Sequence, residues 1–207
     1  MDRPFLLIPK TTIDFVRDQT VLVNTIFEDA VEQIIDVARS FAGALERAGI
    51  PCRVVGGLAT FLHVRQVDPP SARLTRDVDV AIDRRHLDAI RAAVEAHGFV
   101  YRHAAGVDMF LVAENPTARS GVHLVFVGER VRPEYPELVP ASDPVRTKEG
   151  ILIAPVADLV RMKLTSYRLK DKVHIQDLDA VGLISPEIEA GLPNSLRQRL
   201  AEVRATE

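Results

Sequence analysis

The sequence predicts an α/β protein of the α+β kind, a mixed β-sheet flanked by helices with a helical segment at the C-terminal end. Three observations predict it. A short apolar run at 52–55, "CRVV", stops at Gly56 and Gly57 and opens into the helix-like "LATFLHVR". A second apolar run, inside "RLTRDVDVAI" from Arg73 to Ile82, carries two aspartates two residues apart. Three further runs, "FVYRH", "VDMFLV" and "GVHLVFVG", are rich in β-branched and aromatic residues and are separated by Gly, Asn and Pro.

In chain order, Phe27 to Ala48 places Ile26, Ala30, Ile34, Val37, Phe41 and Leu45 at helical spacing, which predicts an amphipathic helix. Gly49 and Pro51 turn the chain into the strand at 52–55, and the glycine pair ends it. "VDPPSARLT" is a connecting loop by its proline pair. The aspartate strand follows, and then a helix over about Arg84 to Ala96 that stops at Gly98. The three β-rich runs are expected as neighbouring strands. From Gly128 to Gly150 the chain is charged and proline-bearing with no period, as expected of a surface excursion or a linker. "ILIAPVADLVRMKLTSYRLK" turns helical after Pro155, a short helix starts at Ser185 and Pro186, and a last one starts near Asn194. The expected division is a core at 1–150 and a helical segment at 151–207 that completes its cleft.

A chain of 207 residues with 47% hydrophobic content can bury a core. Its 26 basic and 29 acidic residues leave a net charge of −3, so no global field draws it to nucleic acid or to an anionic membrane. Any anionic partner must be met locally. The single cysteine, Cys52, sits among apolar residues and fits a packed thiol in a reducing cytoplasm. The apolar stretch of "MDRPFLLIPK" is too short for a secretory signal, and no segment approaches the apolar length of a membrane span. These features predict a cytoplasmic protein with no membrane partner.

The acid-bearing strand carries the chemistry. With a period of two, Leu74, Val78, Val80 and Ile82 share one face, while Thr75, Asp77 and Asp79 share the other. Two carboxylates on one face repel each other, a cost that a hard cation such as Mg2+ offsets; a solvated edge strand is the bland alternative. Glycines that end a strand at the mouth of a helix leave backbone N–H groups free for a phosphate. The pair Gly56–Gly57 followed about twenty positions later by Thr75, Asp77 and Asp79 therefore points to nucleotide chemistry. Further on, Lys163, Tyr167, Lys170, His174 and Asp177 follow at spacings of four, three, four and three, one face if the helix is continuous. Arg161, Lys163, Arg168, Lys170 and Lys172 make the densest basic cluster, a candidate anion site; a solvated helix face is the alternative.

"VVGGLATFLHV", "RLTRDVDV" and "LVRMKLTSYRLKDKVHIQDL" together resemble the nucleotidyltransferases of the DNA polymerase β-like superfamily. The similarity is closest to the abortive-infection, AbiEii-type toxins and their bacterial relatives, and it covers about Val54 to Asp177. The resemblance implies a nucleotidyltransferase fold and the Mg2+-dependent (or Mn2+-dependent) transfer of a nucleoside monophosphate. The donor would be a nucleoside triphosphate and the acceptor a hydroxyl of RNA, a protein or a small molecule. It assigns Gly56 and Gly57 to phosphate, Asp77 and Asp79 to metal and catalysis, and Lys163 to the nucleotide phosphates. Arg168 and Lys170 join Lys163 as phosphate candidates, with Thr75 expected to hydrogen-bond the glycine turn. Asp177 belongs to a C-terminal motif, and Asp171 and His174 stand beside it as accessory candidates. A toxin-like role would bring an antitoxin-type partner protein.

The chain departs from the family where a third carboxylate is expected. On "GVHLVFVG" that position is His123, which offers nitrogen where Mg2+ prefers oxygen. Asp108, or an acid of "KDKVHIQD", is the candidate replacement. The departure sets two expectations side by side: an active transferase, and a nucleotide-binding regulatory or partner module with impaired catalysis. A metal-dependent hydrolase of other ancestry leaves the glycine pair unexplained.

Overall fold

The computed structural model describes residues 10–73, 75–114 and 121–206, with side chains from residue 29 onward. Leu74, expected on the apolar face of the aspartate strand, lies outside the described residues.

Helix α1 (Lys10–Arg47) begins well before the predicted Phe27. Its stripe of Val31, Ile35, Ala38, Phe41, Ala42 and Leu45 is buried. β1 (Cys52–Val55) runs directly into α2 (Gly56–Val67), and a 3-10 turn at Pro69–Ser71 leads towards β2 (Val78–Ile82). The predicted helix at 84–96 is a 3-10 turn at Arg84–His86 continued by α3 (Leu87–Glu95), its entry fixed by the Asp83 carboxylate accepting from Arg85 N at 3.0 Å. β3 (Phe99–Ala104), β4 (Val107–Val112) and β5 (Val122–Phe126) are the three β-rich runs. The proline-bearing excursion contains β6 (Val145–Arg146), and β7 (Leu152–Ile153) follows it. Four helices complete the chain: α4 (Val156–Ser166), α5 (Leu169–Ala180), α6 (Pro186–Ala190) and α7 (Asn194–Arg204). Ser185 caps α6 by accepting from Ile188 N.

Among the described residues the strands form one mixed sheet, ordered β3-β4-β5-β2-β1-β7-β6. β2 runs parallel to β5 and β1 parallel to β7, while the other neighbours are antiparallel. The even-numbered residues Val78, Val80, Ile82, Val122, Leu124 and Phe126 are buried. Phe41 of α1 packs on that face, its ring 5.2 Å from Phe99 and 5.3 Å from Phe110. A second, smaller apolar cluster joins Val64 of α2 to Val160, Leu164, Ile175, Leu178, Leu196 and Leu200 of the C-terminal helices. α2 thus touches both clusters.

The segment expected as an excursion or linker is strapped to the sheet. Arg53 of β1 donates to Pro140 O at 2.5 Å and to Ser142 O at 2.7 Å, and Ser142 Oγ donates to Asp158 of α4. His63 of α2 donates from Nε2 to Ala154 O at 2.9 Å, and burial holds its pKa below the ordinary value. It therefore closes a structural contact between α2 and the start of the helical segment.

Candidate active site

The site is built where β1 becomes α2. Gly56 has φ +70°, a conformation that costs any residue with a Cβ, and a Cβ there would lie 2.9 Å from Asp79 Cγ. A Cβ on Gly57 would lie 3.0 Å from Thr75 Cβ and 3.5 Å from His174 Cε1. The glycine pair thus brings the turn against Asp79, Thr75 and His174 at once. Val55 caps α2 without a side-chain hydrogen bond, so the first N–H groups of the helix keep their donors beside this acidic strand.

Sheet register fixes what faces Asp79. Asp79 is the Cα partner of Val55 on one side and of His123 on the other, and His123 Nδ1 lies 3.7 Å from Asp79 Oδ1. Met109 pairs with His123 and Arg102 with Met109, so the same face continues to both. Asp108, one residue from Met109, belongs to the opposite face. There it is buried and accepts from Tyr101 Oη at 2.5 Å and His103 Nδ1 at 2.8 Å, with Arg84 3.7 Å away. Burial opposes its charge, but these donors hold its carboxyl below the ordinary value. Register excludes Asp108 as a replacement for the third acid.

The third part of the site is a helical corner. The expected single face from Lys163 to Asp177 does not exist: the helix is continuous through "KDKVH", but α4 ends at Ser166 and Tyr167 takes a left-handed φ of 51°. Lys163 therefore lies on α4, and Lys170, His174 and Asp177 lie on α5. The corner folds Lys163 back onto Asp171, with Nζ 3.2 Å from Oδ1. Asp171 is fully buried and also accepts from Ser166 Oγ at 2.7 Å and Arg168 Nε at 2.7 Å. Burial would raise its pKa; Arg168, Lys163 and Ser166 bring it down to about 2. Burial lowers the pKa of Lys163, a shift opposed by Asp171 and by Asp79. The charge of Asp79 also acts on Arg168, which ties the corner electrically to the acidic strand.

His174 points from α5 to the back of the glycine turn, and burial followed by the Lys163 charge lowers its pKa to about 4. Among the described residues its buried Nδ1 has no hydrogen-bond partner. Asp177 is buried and accepts from Arg73 Nε at 2.7 Å, so Arg73 ties the loop before β2 to α5. Lys170 is exposed on α5. Both acids of "KDKVHIQD", Asp171 and Asp177, thus have cationic partners of their own.

A cleft of about 480 Å³ lined by Cys52, Arg53, Ile82, Asp83 and Arg85 lies at the other end of β1 and β2, away from Asp79. The buried Cys52 thiol beside it is pushed up to about 11 by desolvation, an unreactive packed group.

The fold has counterparts among solved structures. A nucleotidyltransferase-like protein from Paracoccidioides brasiliensis superposes with a TM-score of 0.56 at 17% identity, over 85% of this chain and 89% of that one. ANT(2")-Ia in complex with adenylyl-2"-tobramycin superposes with a TM-score of 0.53 at 11% identity, over 83% of this chain and 97% of that one. The Megavirus polyadenylate synthase gives 0.50 at 11% identity, over 89% of this chain and 40% of that one. The chain has a nucleotidyltransferase fold. No protein-family model matches it, and no curated protein matches it in sequence.

Within this nucleotidyltransferase fold, the donor set suits a hard cation. Asp77 and Asp79 are half-buried, so their oxygens combine with water access, the setting in which Mg2+ is held by one or two carboxylates plus substrate phosphates. Among the described residues no group of three His, Cys, Asp or Glu side chains is gathered for a metal. Two features of the site escape sequence reasoning: the approach of His174 to Gly57, and the convergence of Ser166, Arg168 and Lys163 on Asp171. Only the i,i+3 pair Arg168–Asp171 at the start of α5 signals the second. No helix among the described residues is long and apolar enough to cross a membrane.

Proposed function

We propose that the chain is a Mg2+-dependent nucleotidyltransferase that moves a nucleoside monophosphate from a nucleoside triphosphate to a hydroxyl acceptor. The observation that carries this reading is the close approach of Gly56 to Asp79, which sets the glycine turn at the mouth of α2 against a carboxylate of β2. In the reaction the acceptor oxygen bonds to the α-phosphorus, the bond to the pyrophosphate oxygen breaks, and the acceptor proton leaves. Such chemistry asks the protein for positioning and charge balance more than for a covalent intermediate. Asp77 and Asp79 would hold the metal, which supplies charge neutralisation for the phosphates when bound. Gly56 and Gly57 would let the phosphates approach the N–H groups of α2, Thr75 backs the turn, and Lys163 and Arg168 face the polyphosphate. Lys170, exposed on α5, adds positive charge at the rim. The Asp79 carboxylate, with His123 beside it, stands where the acceptor proton is given up.

The proposed acceptor classes are RNA, protein or a small molecule. A structural neighbour held with adenylyl-2"-tobramycin supports the last, and a polyadenylate synthase supports the first. An AbiEii-type toxin role, an antitoxin-type partner, a cytoplasmic setting and a division at residue 150 between core and helical segment belong to the same proposal. His123 in the place of a third carboxylate favours a second reading, a module that binds nucleotide and metal but transfers poorly. Incubation with each labelled triphosphate and Mg2+ or Mn2+ decides between them. Label passed to an acceptor or to the protein supports the transferase, tight binding without transfer supports the module, and no binding removes both.

A further inference from the structure

We propose that Asp171 is a positioning residue that aims Lys163 at the triphosphate. The proposal rests on the nucleotidyltransferase reading and adds to it the group that holds its principal cation in place. Lys163 is only 5% exposed, and a buried ammonium is held charged only by an acid or an anionic ligand. Asp171 is that acid, at 3.2 Å.

A purely structural role for Asp171 does not need Lys163. The Arg168 guanidinium already reaches both carboxylate oxygens, Nε to Oδ2 at 2.7 Å and Nη2 to Oδ1 at 3.3 Å. Ser166 Oγ and the Arg168 backbone N–H also donate to Oδ2, at 2.7 and 3.3 Å. With Lys163 added, two cations share one buried carboxylate, and the surplus positive charge lies within the field of Asp79. An ammonium has three donors, and Asp171 takes one of them. The other two, on a side chain whose freedom is already lost to burial, are pre-organised for phosphate oxygens, with little entropy left to lose on binding. Asp171 touches no substrate in this arrangement; it acts through Lys163.

The test is a double-mutant cycle on the full chain, read by titration with a non-hydrolysable nucleoside triphosphate and Mg2+ and by melting. Asp171→Asn is expected to weaken binding about 10- to 100-fold, the loss of one well-placed charged hydrogen bond. In a transfer assay it raises KM by a similar factor and leaves kcat less changed, whereas a merely structural loss lowers the active fraction and spares KM. In the Lys163→Met background the same Asp171→Asn change costs several-fold less than in the parent, because the route through Lys163 is gone and, of the two cations, only Arg168 still leans on the carboxylate. That double variant removes one charge of each sign and leaves Arg168 an amide oxygen to bond. Compared with Lys163→Met alone, it tests the route through Lys163 even if Asp171→Asn does not fold by itself. Unchanged triphosphate affinity in Asp171→Asn, or a loss in the Lys163→Met background as large as in the parent, overturns the proposal. A parent that binds no triphosphate overturns the transferase reading instead.

Discussion

The Asp79 carboxylate occupies the space that a side chain on Gly56 would need, with its Cγ 2.9 Å from where a Cβ would stand. Gly56 directly follows β1, and Asp79 lies on β2, the antiparallel neighbour of β1. Their contact couples backbone conformation to the placement of a proposed metal ligand. Gly56→Ala meets two penalties. The left-handed backbone costs roughly 1–2 kcal/mol, and the clash adds about 1–3 kcal/mol unless Asp79 moves away. The expected outcome is a less stable protein in chemical denaturation whose Mg2+–triphosphate binding falls further than its stability does. Gly49→Ala, where the positive φ is matched by open space, is the control: it should lose stability alone.

Replacing His123 by Asp puts a carboxylate beside Asp79 on the neighbouring strand, in register with it. A carboxylate is then added to the proposed pair of Asp77 and Asp79, and Mg2+ binding in the presence of nucleotide should tighten, with transfer raised if the remaining groups are competent. Calorimetry with Mg2+ at fixed nucleotide reads the first effect. Equal metal affinity in variant and parent counts against the third-carboxylate placement, and an active parent with an inactive variant gives the imidazole a role of its own.

The acid limb of stability should carry the signature of His174. Unfolded, its imidazole takes up a proton near 6.5; folded, only near 4. Above 6.5 both states are neutral and its contribution is fully present. Between 6.5 and 4 the unfolded state binds the extra proton, so stability falls as pH falls. His63, also lowered by burial, acts in the same direction. Asp171 holds its charge down to about 2, so its contribution is retained throughout this window. His174→Gln should flatten the slope of denaturation free energy between pH 6.5 and 4, and an unchanged slope would remove His174 as its source.

Phe41 anchors α1 on the sheet through its contacts with Phe99 and Phe110, and it is wholly buried. Phe41→Ala is expected to cost about 3–5 kcal/mol by denaturant titration. A loss under about 1 kcal/mol would mean that the neighbouring side chains collapse into the vacated space.

How legible these features were follows from the range over which each is determined. That Asp79 and His123 share one sheet face is readable because alternation is a local rule and β5 lies beside β2 in register, whereas β2 begins at Val78 and leaves Asp77 before the strand. The glycine turn is readable, as is Thr75 beside it, but the sequence suggests room for phosphate and hides that Asp79 and His174 fill part of that room. The break at Tyr167 is invisible, since no Gly or Pro announces it. Its left-handed backbone is offset by tertiary contacts: its hydroxyl donates to Glu202 at 2.6 Å, and Lys172 and Arg199 lie over its ring. β6 and β7, two residues each, are too short to show any period and exist through pairing with distant partners. The partner of Asp177, Arg73, lies more than a hundred residues away, beyond any spacing argument.

The most direct test of the metal and nucleotide assignment is calorimetric titration of Mg2+ and a non-hydrolysable nucleoside triphosphate into the parent protein and into Asp77→Asn/Asp79→Asn. The parent is expected to bind the pair, and the double variant, folded to the same melting temperature or above, to lose the metal-dependent part of the affinity. Removing two like charges two residues apart in the chain should not destabilise the fold. Unchanged metal-dependent affinity in the double variant, or no binding by the parent, would contradict the assignment.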